Sequence, residues 1–130
     1  MAAAVKANEK GRTLQYSLTQ NLKASTEFFF IESYADADAM AALYAHHVLH
    51  GVATFEETPP TSAEMASRLL AVQTLGLPWH VAQEDGRILG FAYAGAYRHR
   101  SASRYTAETR IYVAADALRR GVGRALLRRV

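Results

Sequence analysis

The chain contains no cysteine. That excludes disulfides and thiolate-bound metal, and it fits a reducing cytoplasm. Long apolar runs are also missing. The longest near the N-terminus is Phe28-Phe29-Phe30-Ile31, far too short for a membrane span or a signal-peptide core, so no membrane partner is expected. No internal repeat is present. Charge of one sign is only weakly in excess, at net +3. Much of that excess is local, within 98–129, which suits a phosphorylated ligand at least as well as nucleic acid.

What is there is one small domain's worth of chain. The 130 residues are 50% hydrophobic and 21% charged, ordinary for a globular protein with a real core. Residues 1–27 carry Lys, Asn, Gln, Ser and Thr without a sustained helical period. They read as a weakly ordered N-terminal extension, in which the Leu14–Leu18 alternation fits a short strand. Residues 28–130 read as the domain proper.

Phe28–Glu32 reads as a first strand. Ser33-Tyr34-Ala35-Asp36 then has the pattern of a capping box, with Asp in place of the usual Glu. The helix it opens runs to about residue 48, with Met40, Leu43, Tyr44 and His47 on one face. Gly51 is a stop signal. Thr61-Ser62-Ala63-Glu64 is a second capping box. Its helix buries Met65, Leu69 and Val72 and ends near Gly76. Trp79–Glu84 and Arg87–Tyr97 are strands joined by Asp85-Gly86, a strong hairpin signal. Arg104–Val113 is a third antiparallel strand, and a helix begins at Arg119/Arg120.

The most informative stretch runs from Ile111-Tyr112-Val113 through Arg119-Arg120-Gly121-Val122-Gly123-Arg124. A strand, a glycine-containing turn and a helix start together make an anion site. Free N–H groups of the first helical turn and the helix dipole favour negative charge there. Glycine lets a bulky anion approach the backbone. Arginines at a helix N-terminus are disfavoured by the dipole alone, so three of them point to an anionic partner such as phosphate.

This stretch resembles the acyl-CoA pyrophosphate loop of the GNAT superfamily of N-acetyltransferases. Upstream, Tyr44-Ala45-His46-His47-Val48, Thr54-Phe55-Glu56, Leu77-Pro78-Trp79, Asp85–Gly95 and Tyr105-Thr106-Ala107-Glu108 are similar to its phosphinothricin/methionine sulfone acetyltransferase branch. The resemblance covers roughly 29–130. It implies an α/β (α+β) fold: a mixed, mainly antiparallel sheet flanked by helices. The family pattern continues past the helix that follows the phosphate loop, so the resemblance also implies an incomplete domain lacking its last strands and helix. Apolar positions such as Ile111, Leu126 and Leu127 would then lose part of their cover.

The resemblance further implies acetyl-CoA as cosubstrate, its pyrophosphate on Arg119, Arg120, Gly121, Val122, Gly123 and Arg124 and its arm along Ile111, Tyr112 and Val113. A small amino-acid-like amine would be the acceptor, in a pocket drawn from Phe55, Tyr97, Arg98, Tyr105 and Thr106. Arg98 would face its carboxylate or phosphinate, because a guanidinium fork suits a bidentate anion; a solvated loop is the plainer reading. Glu108 matches the general base that frees the amine for attack. Its alternative is a surface glutamate paired with a nearby arginine. Arg110 stands where the family has a small residue. Period two puts residues 108, 110 and 112 on one face, so Arg110 can pair with Glu108 and weaken it as a base. Leu118 replaces a Gln or Arg of the family pattern. A homodimer is implied for the complete domain.

His46 and His50 have a metal-compatible helical spacing, but no Glu follows His46 as zinc proteases require, so no metal is expected. His47 reads as a packed or interfacial side chain. Two rivals remain. One is a non-catalytic remnant acting as an interaction module through an open sheet edge. The other is a basic nucleic-acid-binding module, for which no motif is present.

Overall fold

The computed structural model describes residues 37–130 in full and, before them, the backbone of Ala4–Ala7, Thr13–Leu18 and Phe29–Glu32. Those three segments are strands β1, β2 and β3. Helix α1 spans Ala37–His50 and α2 spans Ser62–Thr74. Strands β4 (Trp79–Glu84), β5 (Arg87–Ala96) and β6 (Ala107–Val113) follow, and then α3 (Val122–Leu127). The strands form one six-stranded sheet in chain order. Every neighbouring pair is antiparallel.

The expected capping box at 33–36 lies outside the described residues. The second one is present. Glu64 N–H donates to the Thr61 hydroxyl and Thr61 N–H to the Glu64 carboxylate, satisfying two donors that a helix start leaves over. The turn at Asp85-Gly86 has both residues at positive φ, 49° and 77°, as a two-residue hairpin loop matched to strand twist requires. Strand β2 contains the Leu14–Leu18 alternation that fits a short strand. Strand β1 has no counterpart in the sequence reading, and both pair within the sheet, Tyr16 standing opposite Ile31 for example.

Packing divides the molecule into two layers on one sheet. On one face α1 and α2 bury Met40, Tyr44, Met65 and Leu69 against Trp79, Val81, Phe91 and Tyr112. The Trp79 ring stacks on Tyr93 at 4.1 Å, and its N–H donates to the Met40 sulfur, so the indole keeps a polar partner inside the core. On the other face α3 presses Val122, Ala125 and Leu126 onto Ala82, Leu89 and Ala92. Strand β5 is therefore covered on both sides. Full burial of each such large side chain is worth about 1.5–3 kcal/mol. Leu126, expected to lose cover, is 0% exposed, while Leu127 is 57% exposed. Leu126 faces the sheet and its neighbour points away.

Two boundaries differ from the sequence reading. Strand β6 starts at Ala107, because Ser101–Ser103 form a 3-10 turn that takes Arg104, Tyr105 and Thr106 out of the strand. Helix α3 starts at Val122. Arg119 and Gly121 adopt left-handed φ of 62° and 83°, and no helix runs through such residues.

Candidate active site

Strand β6 organises the site. Tyr97 N–H donates to the Thr106 carbonyl at one end of its pairing with β5, and Ala114 N–H to the Leu89 carbonyl at the other. In an antiparallel ladder these bonds fix the alternation between inward and outward backbone. The backbones of Glu108, Arg110 and Tyr112 face β5. Those of Thr109, Ile111 and Val113 face away, along the last strand of the described sheet. The Val113 carbonyl already has a partner, the His47 imidazole at 2.9 Å. Its neighbours on that edge offer the extended N–H and C=O pattern that a strand-like ligand pairs with.

The side chains of β6 divide by face. Glu108, Arg110 and Tyr112 stand opposite Gly95, Tyr93 and Phe91 and share the α1/α2 side. There they border a cavity of about 780 Å³ that reaches the loop after α1 and one flank of α2. Two ion pairs lie in it. Arg68 forks onto Glu56, with bonds of 3.0 and 2.5 Å. Glu56 also accepts from the Tyr44 hydroxyl, which contacts Thr54 at 2.8 Å. The bonds from Arg68 hold the Glu56 carboxyl below its ordinary value, against the opposing effect of burial, and Arg110 adds to the lowering. Burial, then the bond to Glu56, pushes the Tyr44 hydroxyl up, so it stays protonated. The second pair joins Arg110 to Glu108.

On the opposite side of the sheet the chain leaves β6 through a 3-10 turn at Ala115–Ala117 and reaches Gly121, which caps α3. The first bond within the helix is Ala125 N–H to the Gly121 carbonyl, 3.0 Å. The N–H groups of Val122, Gly123 and Arg124 therefore precede the hydrogen-bonded ladder and point out of the helix end. A Cβ placed on Gly123 would meet only Val113 at 3.7 Å, so its surface is open to an approaching anion. Arg120 reaches back to Glu84 at 2.6 Å, and Arg87 pairs with Asp116. These two links tie the loop to the β4–β5 hairpin. Arg119 and Arg124 are exposed.

The structure brings Phe55, Tyr97 and Glu108 to one cavity. Phe55 stands fully in solvent at 100% exposure. Arg98, Tyr105 and Thr106 are not among the lining residues. Arg98 lies over the Tyr97 ring at 5.1 Å. Tyr105 is 89% exposed and carries Arg104 on its face. Sequence reasoning missed Arg68 and the Glu56 pairing. One signal was available: Arg68 falls on the helical stripe of Met65, Leu69 and Val72, and a charge on a buried stripe needs a partner. His46 and His50 have ring centroids 5.1 Å apart. Among the described residues no group of three or more His, Cys, Asp or Glu side chains is placed to hold a metal, and no helix is long and apolar enough to cross a membrane.

An antiparallel sheet with helices on both faces, whose last described strand is followed by a 3-10 turn and a glycine-capped helix, is the α+β arrangement that the resemblance implies. Residues 40–130 match the acetyltransferase (GNAT) family, and the chain belongs to it. Phosphinothricin N-acetyltransferase of Alcaligenes faecalis is 53% identical over 92 residues, covering 71% of this chain and 47% of that protein. The L-methionine sulfoximine/L-methionine sulfone acetyltransferase of Salmonella typhimurium is 34% identical over 96 residues, covering 74% and 56%. A GNAT phosphinothricin acetyltransferase from Sinorhizobium meliloti, solved in complex with AcCoA, superposes with a TM-score of 0.72 at 43% identity, covering 75% of this chain and 53% of that one. The chain thus spans about half the length of these relatives.

Proposed function

We propose that this chain is the acetyl-CoA-binding and base-bearing portion of an N-acetyltransferase acting on a small amino-acid-like amine of the phosphinothricin or methionine sulfone type. One observation carries the reading. Glu108 borders a cavity on the α1/α2 side of β6, and the same strand leads, through the 3-10 turn at Ala115–Ala117, to the glycine-capped start of α3 on the other side, which supports the reading. Acetyl-CoA would rest its pyrophosphate on the N–H groups after Gly121 and run its arm along the outward backbone of Ile111 and the Val113 N–H, the Val113 carbonyl being held by His47.

The acceptor would enter from the Phe55 and Tyr97 side of the cavity. Only the neutral amine attacks, so Glu108, directly or through water, would first take the ammonium proton. The amine then adds to the thioester carbonyl, and the tetrahedral adduct collapses with loss of a further proton from nitrogen and cleavage of the C–S bond, CoA leaving as its thiolate. Backbone N–H groups of the strand edge are the available donors for the oxyanion that develops. The absence of cysteine supports a cytoplasmic setting, and Phe55 and Val52, both almost wholly exposed, support a homodimer that covers them.

The test is thiol release from acetyl-CoA with L-methionine sulfone or phosphinothricin as acceptor. Glu108→Gln keeps the shape and removes the base, a loss of about 10²–10⁴-fold in kcat/KM. The loss should shrink at high pH, where more of the amine is already neutral. Wild-type kcat/KM in Glu108→Gln at neutral pH would show that Glu108 is a structural residue.

A further inference from the structure

We infer that Arg110 is the residue that selects the acceptor, by exchanging its bond to Glu108 for a bond to a carboxylate borne by the amine itself. The inference rests on the proposed acetyl transfer for the choice of ligand and on the cavity for everything else. Three basic side chains line that cavity: Arg68, His99 and Arg110. Arg68 has both arms of its fork on Glu56. His99 lies in the exposed loop after β5. Arg98, the guanidinium that the family resemblance offers for this task, does not line the cavity and lies over Tyr97. Arg110 is the guanidinium that faces the reacting carboxylate.

Its seat is shaped for it. The guanidinium lies 5.7 Å from the centre of the Tyr93 ring, its cross-strand partner. Gly95, opposite Glu108, leaves the surface beside it clear; a Cβ there would stand 3.4 Å from the Arg110 nitrogen. The Glu108–Arg110 pair is 38% and 42% exposed, so solvent screens it and a ligand can open it cheaply.

The charges then decide which ligand does so. An α-amino acid brings an ammonium and a carboxylate separated by one carbon. It can lay the ammonium on Glu108 and the carboxylate on Arg110, so that every charge keeps a partner. An amine without a carboxylate takes Glu108 and leaves Arg110 beside a second cation, with the Tyr93 contact and the more distant Glu56 charge but no bonded carboxylate in exchange. That is discrimination by an unpaired charge in the wrong complex. The same exchange frees Glu108 from Arg110 only when the correct acceptor is present.

The experiment is titration calorimetry of the full chain with L-methionine sulfone and, separately, with its carboxamide. Thiol release is run in parallel. Wild type should bind the acid at least about tenfold more tightly than the amide, since a charge-assisted fork is at stake. Arg110→Gln should lose that preference, and Arg110→Lys should keep part of it. CoA binding, which does not use Arg110, reports that each variant is folded. Equal preference for the acid in wild type and Arg110→Gln overturns the inference, as does a wild type that binds neither ligand. Arg110-dependent binding without thiol release sustains the inference and overturns the acetyltransferase reading instead.

Discussion

Gly90 and Gly123 lie close together near the junction of the sheet and α3, and they are expected to respond to alanine in opposite ways. Gly90 sits in β5 under the helix. A Cβ there would stand 2.8 Å from the Tyr112 carbonyl oxygen and 3.2 Å from both Leu126 and Val122. The first of these is backbone of a paired strand and cannot yield without opening the ladder. Overpacking of this kind costs about 1–3 kcal/mol. Alanine recovers about 0.4–1 kcal/mol by restricting the unfolded chain. The net is a loss of about 1–2 kcal/mol, or about 4–8 °C in Tm for a domain of this size. Gly123 is the reverse case. Its added methyl would meet Val113 at an ordinary 3.7 Å, and alanine is favoured over glycine within a helix by about 0.8–1 kcal/mol. Gly123→Ala should therefore raise Tm slightly while a methyl group stands where the pyrophosphate would approach. Loss of one charge-assisted bond, about 1.5–3 kcal/mol, should weaken CoA by at least about tenfold in calorimetry. Gly121 is the poorer test, because its φ of 83° strains any replacement and confounds binding with folding. An unchanged Tm in Gly90→Ala, or full CoA affinity in Gly123→Ala, would refute the account of how α3 and its turn are built.

Two further outcomes follow from the charges. Arg68→Met leaves Glu56 with the Tyr44 hydroxyl alone; with both partners more than a third exposed, screening limits the loss to about 1 kcal/mol at neutral pH. Because Arg68 lowers the Glu56 pKa, that contribution is complete above the unfolded value of about 4.5 and disappears as pH falls through the folded one. Urea unfolding at pH 7 and pH 3 should show wild type and Arg68→Met converging in acid, and a gap of constant size would contradict the pairing. His80 is half-buried, and burial first, then the Arg129 charge, depresses its pKa below the usual imidazole value. The folded protein therefore resists protonation, and stability falls as pH drops below about 6.5. Comparing wild type with His80→Gln between pH 7.5 and 5 should show the steeper decline in wild type; parallel curves would remove His80 as its source.

How far the sequence could be read depended on how far apart the interacting residues lie. The Thr61 capping box and the Asp85-Gly86 turn were legible because each closes within four residues and its geometry is written in its own side chains. The buried stripe of α2 was legible because helical spacing alone selects Met65, Leu69 and Val72. The start of α3 was not, since the left-handed φ of Arg119 is imposed by the turn around it and no arginine announces it. The cavity beside Glu108 was half legible. Period two along β6 put Glu108, Arg110 and Tyr112 on one face, and the structure joins the first two in an ion pair. The three-residue 3-10 turn at Ser101–Ser103, which puts Tyr105 before the strand rather than in it, has no apolar pattern to reveal it. Arg68 meets Glu56 across twelve positions, from a helix to a loop, and neither residue has a local reason to point at the other. What makes that pair intelligible is cost. A half-buried guanidinium beside the apolar stripe of α2 gains from a carboxylate, and Glu56, carried by the loop after α1, supplies it. The pair thereby pins that loop over the cavity and leaves Arg110, rather than Arg68, to meet whatever enters.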